Sequence, residues 1–422
     1  MEKKKICVMG LGYIGLPTAV MFATHGHKIV GVDVNEAVIE ALNDARIIIK
    51  EPYLDLLVHG AVISGNLKAQ TMPEEADVFI IAVPTPIQHD KTADMSFVTA
   101  ATRAIIPYLR AGNVVILEST SPTGTVNDLM LPILAESGLV IGEQLMVAHA
   151  PERVLPGRIL IELVENNRIV GGVNLKSAEA VRDLYKTFVK GEIYLTDATT
   201  AEMCKMTENT YRDVNIAFAN ELAIICEKAG VNAWDVIRLC NKHPRVSIHQ
   251  PGPGVGGHCI AVDPWFIIEK YPDEAQIIAL ARRTNDAMPG YLADKIEVIL
   301  NNIPGKKKIA VLGITYKPDV EDIRESPVIH LIELLKNHQD YEISMVDPYV
   351  RSGEYKTDEL LPAVKGSDLV ILGVNHKEFA AIDFAAVGDV MRNKNLLDTR
   401  NFLKGDDLTK LGFHYYLLGR DH

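Results

Sequence analysis

The sequence predicts an α/β chain in three parts, with a parallel-sheet domain at each end and a helical region between them. Three observations carry this. Apolar runs of strand length alternate with helical stretches over the first half, helical periodicity takes over from 199 to about 300, and strand-like runs return after Pro304-Gly305. At 422 residues the chain is too long for one core, and the expected domains are 1–195, 196–303 and 304–422.

Taken in order, residues 4–9 read as a buried strand, a helix follows from about 14 to 25, and Lys28–Val34 forms a second strand. Val78–Val83, Val114–Glu118 and Leu145–His149 continue the series. Strands that alternate with helices give a parallel sheet covered on both faces. In the middle region Cys204, Tyr211, Val214, Phe218, Leu222 and Ile225 recur at helical spacing and form one apolar face, suited to core or subunit packing. Lys308–Ile314, Ile343–Val346, Leu369–Val374 and Leu396–Asp398 are the strands of a smaller α/β domain, in which Ser326 should cap a helix that has Pro327 at its first position.

Composition narrows the function. Apolar residues make up 48% and charged residues 23%, an ordinary globular mixture. A net charge of −12 argues against a nucleic-acid partner, yet leaves room for a small anionic ligand held by local Arg and Lys. Cysteines at 7, 204, 226, 240 and 259 form no CxxC pair and no zinc-like spacing, which suits reduced thiols and predicts no metal site. Lys3, Lys4 and Lys5 precede an apolar run, as in a leader, but Gly10, Gly12, Gly15 and Pro17 interrupt it. No apolar run approaches the roughly 20 residues of a membrane span, and a cytoplasmic protein is expected.

Those glycines have a better explanation. Gly10-Leu11-Gly12-Tyr13-Ile14-Gly15 follows a strand and opens a helix. Gly10 permits the tight turn, Gly12 lets the backbone approach a pyrophosphate, and Gly15 lets helix and strand pack closely. The helix start offers N–H groups and a positive dipole end to phosphates. Asp33 closes the next strand, where a carboxylate meets an adenosine ribose. The first domain thus reads as a Rossmann domain, and Val34, Asn35 and Glu36 offer no cation for a 2′-phosphate, which favours NAD over NADP. Thr85, Thr120 and Thr125 stand in loops at strand ends; cofactor contact and ordinary turn are both open readings there.

The stretch Gln250 to Cys259 contains four glycines and two prolines, so it is a loop able to bend sharply and approach a ligand. It delivers Cys259 and then Asp263. The thiol reads either as buried filler or as a nucleophile; its neighbour His258 is not expected to pair with it. Lys205, Asn209 and Arg212 share one helix face, for which a solvated polar face is the simpler reading of the pattern alone. Glu152, Arg153 and Val154 follow the strand end at His149, His243 and Arg245 precede the glycine loop, and Lys317 and Arg324 flank an acidic turn.

At these residues the sequence resembles the UDP-sugar 6-dehydrogenase family, which includes UDP-glucose dehydrogenase. The resemblance spans essentially the whole chain. It rests on GLGYIGLP at 10–17, AEMCKMTENTYRDVNIAFANE at 201–221, GPGVGGHCIAVDPWF at 252–266 and YKPDVEDIRESP at 316–327. Ile260-Ala261-Val262-Asp263-Pro264 resembles the acetamido-sugar branch, above all the bacterial UDP-N-acetyl-D-mannosamine dehydrogenases, where UDP-glucose enzymes usually carry Pro-Lys-Asp.

The resemblance implies a central dimerisation domain and a carboxy-terminal, Rossmann-like domain for the nucleotide sugar. It implies Cys259 as nucleophile, Lys205 and Asn209 on the substrate hydroxyl and oxyanion, Asp263 on water, and Glu152 as a base in the last step. NAD contacts would be Gly10, Gly12, Tyr13, Ile14, Gly15, Asp33, Thr85, Thr120, Thr125 and Arg324, the last where substrate and cofactor phosphates approach each other. Substrate contacts would be Arg153, Val154, Lys205, Asn209, Arg212, His243, Arg245, Gly256, Tyr316 and Lys317. Arg245 would reach the neighbouring subunit of a homodimer.

The expected reaction is four-electron, NAD-dependent oxidation of UDP-N-acetyl-D-mannosamine at C6 for a surface polysaccharide, or the same chemistry on UDP-N-acetylglucosamine or UDP-glucose. The rivals, a two-electron dehydrogenase of the 6-phosphogluconate or hydroxyisobutyrate type and a non-enzymatic NAD-binding regulator, leave Cys259 unexplained. The two-electron enzyme also has no need of a third domain.

Overall fold

Alternating apolar residues set the two faces of each sheet. The computed structural model describes residues 2–49, 51–350, 355 and 357–421. They fall into two units, Met1–Glu208 with Trp265–Tyr271, and Asn209–Pro264 with Pro272–His422.

The first unit holds an eight-stranded sheet of β1 (Lys5–Met9), β2 (Lys28–Val32), β3 (Leu67–Gln70), β4 (Val78–Ile81), β5 (Val114–Leu117), β6 (Met146–His149), β7 (Arg168–Gly172) and β8 (Ile193–Asp197) in the order 3-2-1-4-5-6-7-8. Ile6, Val8, Ile80 and Ile116 pack into one core, while Cys7, Met9, Phe79, Val115 and Leu117 pack into the other. That period of two, buried on both sides, is why these strands read as continuous apolar runs. The second unit holds β9 (Lys307–Leu312), β10 (Tyr341–Val346), β11 (Leu369–Leu372), β12 (Asn395–Asp398) and β13 (His414–Leu417) in the order 10-9-11-12-13, with every pair parallel.

The α/β class expected from the sequence is the one found, with helices Ala198–Lys228, Ala233–Cys240, Asp263–Lys270 and Gln276–Leu300 between the two sheets in the chain. Several details differ. β6 and β7 pair antiparallel, through Ala148↔Gly172 and His149↔Gly171, so the first sheet is not wholly parallel. β2 ends at Val32 rather than Val34, because Asp33 turns its carboxylate onto Leu11 N–H at 2.9 Å. Strands β3, β7, β8 and β13 were not expected. Ser326 does hold the N-cap position of helix Pro327–Lys336, but its hydroxyl makes no capping bond and is buried without a protein partner. Among the described residues no helix is long and apolar enough to cross a membrane.

Candidate active site

The first unit builds a dinucleotide cradle at the end of β1. Gly10 takes φ +92°, and a Cβ there would lie 2.6 Å from Ala82 O. A Cβ on Gly15 would run into Gly10 O. Gly12 is different: nothing lies within 4 Å of where its Cβ would be. The glycines at 10 and 15 therefore serve the fold, whereas the space beside the one at 12 is open, as close approach of a pyrophosphate would require.

Tyr13 packs against the core, Ile14 is the N-cap of helix Gly15–Thr24, and no acidic residue stands in that helix's first turn to compete with an anion. Asp33 accepts Leu11 N–H through Oδ2 and Asn35 N–H through Oδ1, each at 2.9 Å, which leaves further lone pairs for a ribose diol. These residues fit NAD. Gly12→Val should accordingly leave the melting temperature unchanged while raising KM for NAD about tenfold or more, measured by steady-state kinetics. An unchanged KM would remove the cradle from the cofactor.

Thr85 and Thr120 are half-buried in the loops after β4 and β5. Thr125 is buried, and its hydroxyl donates to Pro122 O at 2.6 Å, so its proton is committed to its own turn. That turn is fastened by a residue the sequence did not single out. Glu202, on helix Ala198–Lys228, accepts Gly124 N–H and, at 2.8 Å, Val126 N–H; burial pushes its carboxyl up to about 7.

Glu152 follows β6 and pairs with buried Arg168, which also reaches Glu118 at 3.2 Å. Tyr185 donates to Glu118 at 2.7 Å and lays its ring 4.1 Å from the Arg168 guanidinium carbon. Burial pushes Glu118 up, with Arg168 pulling it the other way. Arg153 pairs bidentately with Glu208 and gives a further bond to Asn167 O at 3.1 Å. Its backbone is engaged as well, with the N–H donating to Glu152 Oε1 at 2.6 Å and the carbonyl accepting from the Asn166 amide at 2.9 Å. Val154 packs on the core. His149, at the end of β6, is buried and drawn down to about 3 by burial, with Lys205 acting in the same direction, so it is neutral.

The second unit assembles the nucleophile loop. Cys259, half-buried, accepts Asp263 N–H at 2.8 Å and Val262 N–H at 3.0 Å through its carbonyl, which winds the chain directly into helix Asp263–Lys270. Asp263, 2% exposed, accepts the Asn209 side-chain amide at 2.5 Å. Gly257 N–H donates to Arg324 O at 3.1 Å. Cβ atoms on Gly256 or Gly257 would collide with Tyr316, so these glycines let the loop lie against that ring. Lys317 Nζ stands 5.8 Å from the same ring. Arg324 forks onto Asp322, at 2.9 Å through Nε and 2.6 Å through Nη2; burial works against the Asp322 charge, but Arg324 outweighs it and holds the carboxyl low.

The second unit thus brings Asn209, Gly256, Cys259, Asp263, Tyr316 and Arg324 together from three separate stretches of chain. Arg212 is exposed on helix Ala198–Lys228, four residues into this unit. His243 and Arg245 are exposed in a loop, where Arg245 N–H donates to His243 Nδ1 at 3.3 Å.

Comparison with known proteins identifies the domains along the chain. Residues 4–189 match the NAD binding domain of the UDP-glucose/GDP-mannose dehydrogenase family, 199–287 its central domain and 310–405 its UDP binding domain. A UDP-N-acetyl-D-mannosamine dehydrogenase of Methanocaldococcus jannaschii is 48% identical over 99% of this chain and 96% of that protein. An NDP-N-acetyl-D-galactosaminuronic acid dehydrogenase of Ralstonia solanacearum is 46% identical over 94% of this chain and 96% of that protein. The solved UDP-D-ManNAc dehydrogenase of Pyrococcus horikoshii superposes with a TM-score of 0.93 at 42% identity, covering 99% of both chains. The chain belongs to the UDP-glucose/GDP-mannose dehydrogenase family, and it is an NAD-dependent oxidoreductase.

Proposed function

We propose that the chain oxidises UDP-N-acetyl-D-mannosamine at C6 to UDP-N-acetyl-D-mannosaminuronate in a four-electron reaction, with Cys259 as covalent nucleophile. The observation that carries this reading is the bond of Asp263 to the Asn209 amide, four residues beyond the thiol, which ties loop and helix into one group. Relatives named for this sugar, 48% and 42% identical, support the substrate. UDP-N-acetylglucosamine and UDP-glucose are the alternatives.

NAD, when bound, takes up one hydride in each of two oxidations. Lys205 takes the proton of the C6 hydroxyl as the aldehyde forms. The Cys259 thiolate adds to that aldehyde, and the resulting thiohemiacetal oxyanion is held by Lys205 and Asn209. The second oxidation makes a thioester. Water positioned by Asp263, with Glu152 as base, cleaves the C–S bond, which frees the carboxylate and restores the thiolate. Hydrolysis makes the sequence one-way. Arg153, Val154, Arg212, His243, Arg245, Gly256, Tyr316 and Lys317 hold the nucleotide sugar, and Arg324 serves its phosphates or those of the cofactor. A cytoplasmic location and a product destined for a surface polysaccharide accompany this reading.

The test is NADH released per mole of sugar by the purified protein, with UDP-N-acetylmannosamine, UDP-N-acetylglucosamine and UDP-glucose in parallel. Two per sugar is expected with the first. One per sugar overturns the four-electron reaction, and turnover only with another sugar overturns the substrate.

The active form is a homodimer in this proposal. Tyr211, Phe218 and Ile225 recur every seven residues on helix Ala198–Lys228 and are 63%, 53% and 54% exposed, an apolar stripe that a second copy would cover. Phe218→Asp should give a monomer in sedimentation at a nearly unchanged melting temperature. A dimer that persists would move the interface elsewhere.

A further inference from the structure

The two sheets open with the same turn. Gly10 N–H donates to Val32 O at 2.7 Å, and Gly313 N–H to Val346 O at 2.8 Å. Leu11 N–H donates to Asp33 Oδ2 at 2.9 Å, and Ile314 N–H to Asp347 Oδ2 at 2.8 Å. Asn35 N–H donates to Asp33 Oδ1 at 2.9 Å, and Tyr349 N–H to Asp347 Oδ1 at 2.9 Å. Gly10 and Gly313 share positive φ angles of +92° and +83°. β1 lies between β2 and β4 as β9 lies between β10 and β11. Asp347 therefore occupies, in the second sheet, the position from which Asp33 meets a ribose in the first.

The two carboxylates differ on their outer side. Asp33 is half-buried and borders Val34, which is 93% exposed. Asp347 is buried, and His376 covers it. His376 Nδ1 lies 2.9 Å from Asp319 N. A backbone N–H can only donate, so Nδ1 accepts and the ring proton sits on Nε2. Nε2 in turn lies 3.1 Å from Asp347 Oδ2 and 3.2 Å from Thr315 Oγ1. Thr315 Oγ1 donates to Lys317 O at 2.9 Å. Tyr349 and Phe379 hold the imidazole, with ring centroids at 5.0 and 5.4 Å. The imidazole is wholly buried, and it ties the end of β10 to both ends of the segment 315–319, on which Tyr316 and Lys317 stand.

We propose that His376 is a positioning residue for nucleotide-sugar binding: it seals the ribose-type carboxylate of the second cradle and uses it to hold the Tyr316–Lys317 segment in place. This rests on the reading of Tyr316 and Lys317 as nucleotide-sugar contacts. It also means that the carboxy-terminal domain does not read a ribose through Asp347, although its turn is that of a dinucleotide site.

The experiment measures UDP binding by calorimetry and KM for NAD on the intact protein, in wild type, His376→Ala, His376→Gln and Lys317→Met, with a melting temperature for each. His376→Ala leaves Asp319 N–H and Asp347 without their partner, so UDP should bind about tenfold more weakly or worse while KM for NAD stays within about twofold. Glutamine can both accept from Asp319 and donate to Asp347, and His376→Gln should recover most of the loss. Wild-type UDP affinity in His376→Ala overturns the proposal. So does a joint loss of UDP binding, NAD use and melting temperature that glutamine does not rescue, since that marks a purely structural residue. Lys317→Met separates the two readings: weaker UDP binding there with none in His376→Ala sinks the role of His376 alone, and unchanged binding in Lys317→Met sinks the reading of Lys317 beneath it.

Discussion

Replacing Cys259 with alanine should lower kcat by at least about 10³-fold, the scale on which loss of a covalent nucleophile is felt. In the proposed sequence the first oxidation does not need the thiol, so at most about one NADH per active site should appear before the reaction stalls, read in a rapid-mixing absorbance trace. Folding should be little affected, because the loop around Cys259 is set by its backbone. The Cys259 carbonyl takes Asp263 N–H, Gly257 N–H goes to Arg324 O, and Asn209 holds Asp263. Serine at 259 keeps the shape and should fail as alanine does, which assigns the loss to sulfur chemistry. A Cys259→Ala enzyme that still yields two NADH per sugar at a near wild-type rate would return the protein to direct oxidation of a hydrated aldehyde.

Arg168→Leu should destabilise the protein by about 3–5 kcal/mol, the cost of stranding buried charges whose partner is gone. Arg168 is 4% exposed and pairs with both Glu118 and Glu152, and none of the three can turn to water. The pH dependence has a definite sign. Burial already raises Glu118 above its ordinary value against the pull of Arg168. Without the cation it rises further, so between the unfolded and folded values the native state binds more protons than the unfolded state, and stability falls as pH rises. Urea melts at about pH 5.5 and 8 should show a deficit that widens at the higher pH, and Glu118→Gln in the same chain should recover part of it. A deficit independent of pH would mean that lost packing against Tyr185 outweighs the stranded charge.

What could be read from the sequence follows the range of the interactions. β4, β5 and β11 announce themselves because every residue of a strand buried on both faces is apolar. β3, β8 and β13 lie at sheet edges, where LKAQ, IYLTD and HYYL are only partly buried, so their pattern blurs. β7 hides behind a buried arginine. The glycine loops were legible since their signals are local. Arg168 was not, because its partners stand 16 and 50 residues away. The doubled cradle escaped notice for a related reason: Gly10 precedes Asp33 by 23 residues and Gly313 precedes Asp347 by 34, so equal geometry is written at unequal spacing.

The seven-residue interval of Tyr211, Phe218 and Ile225 constrains how a second copy of the helix could lie. A straight helix drifts by about 20° per heptad, so over two heptads the stripe stays on one side and suits a partner helix crossing at a shallow angle of about 20° rather than steeply. Arg212 is the immediate neighbour of Tyr211, and Asn209 stands two residues before it on the same helix. The proposed sugar contacts and the proposed seam between copies therefore share one stretch of helix, and under that proposal dilution becomes a chemical variable: specific activity should decline once protomers separate, and added UDP-sugar should draw them together again.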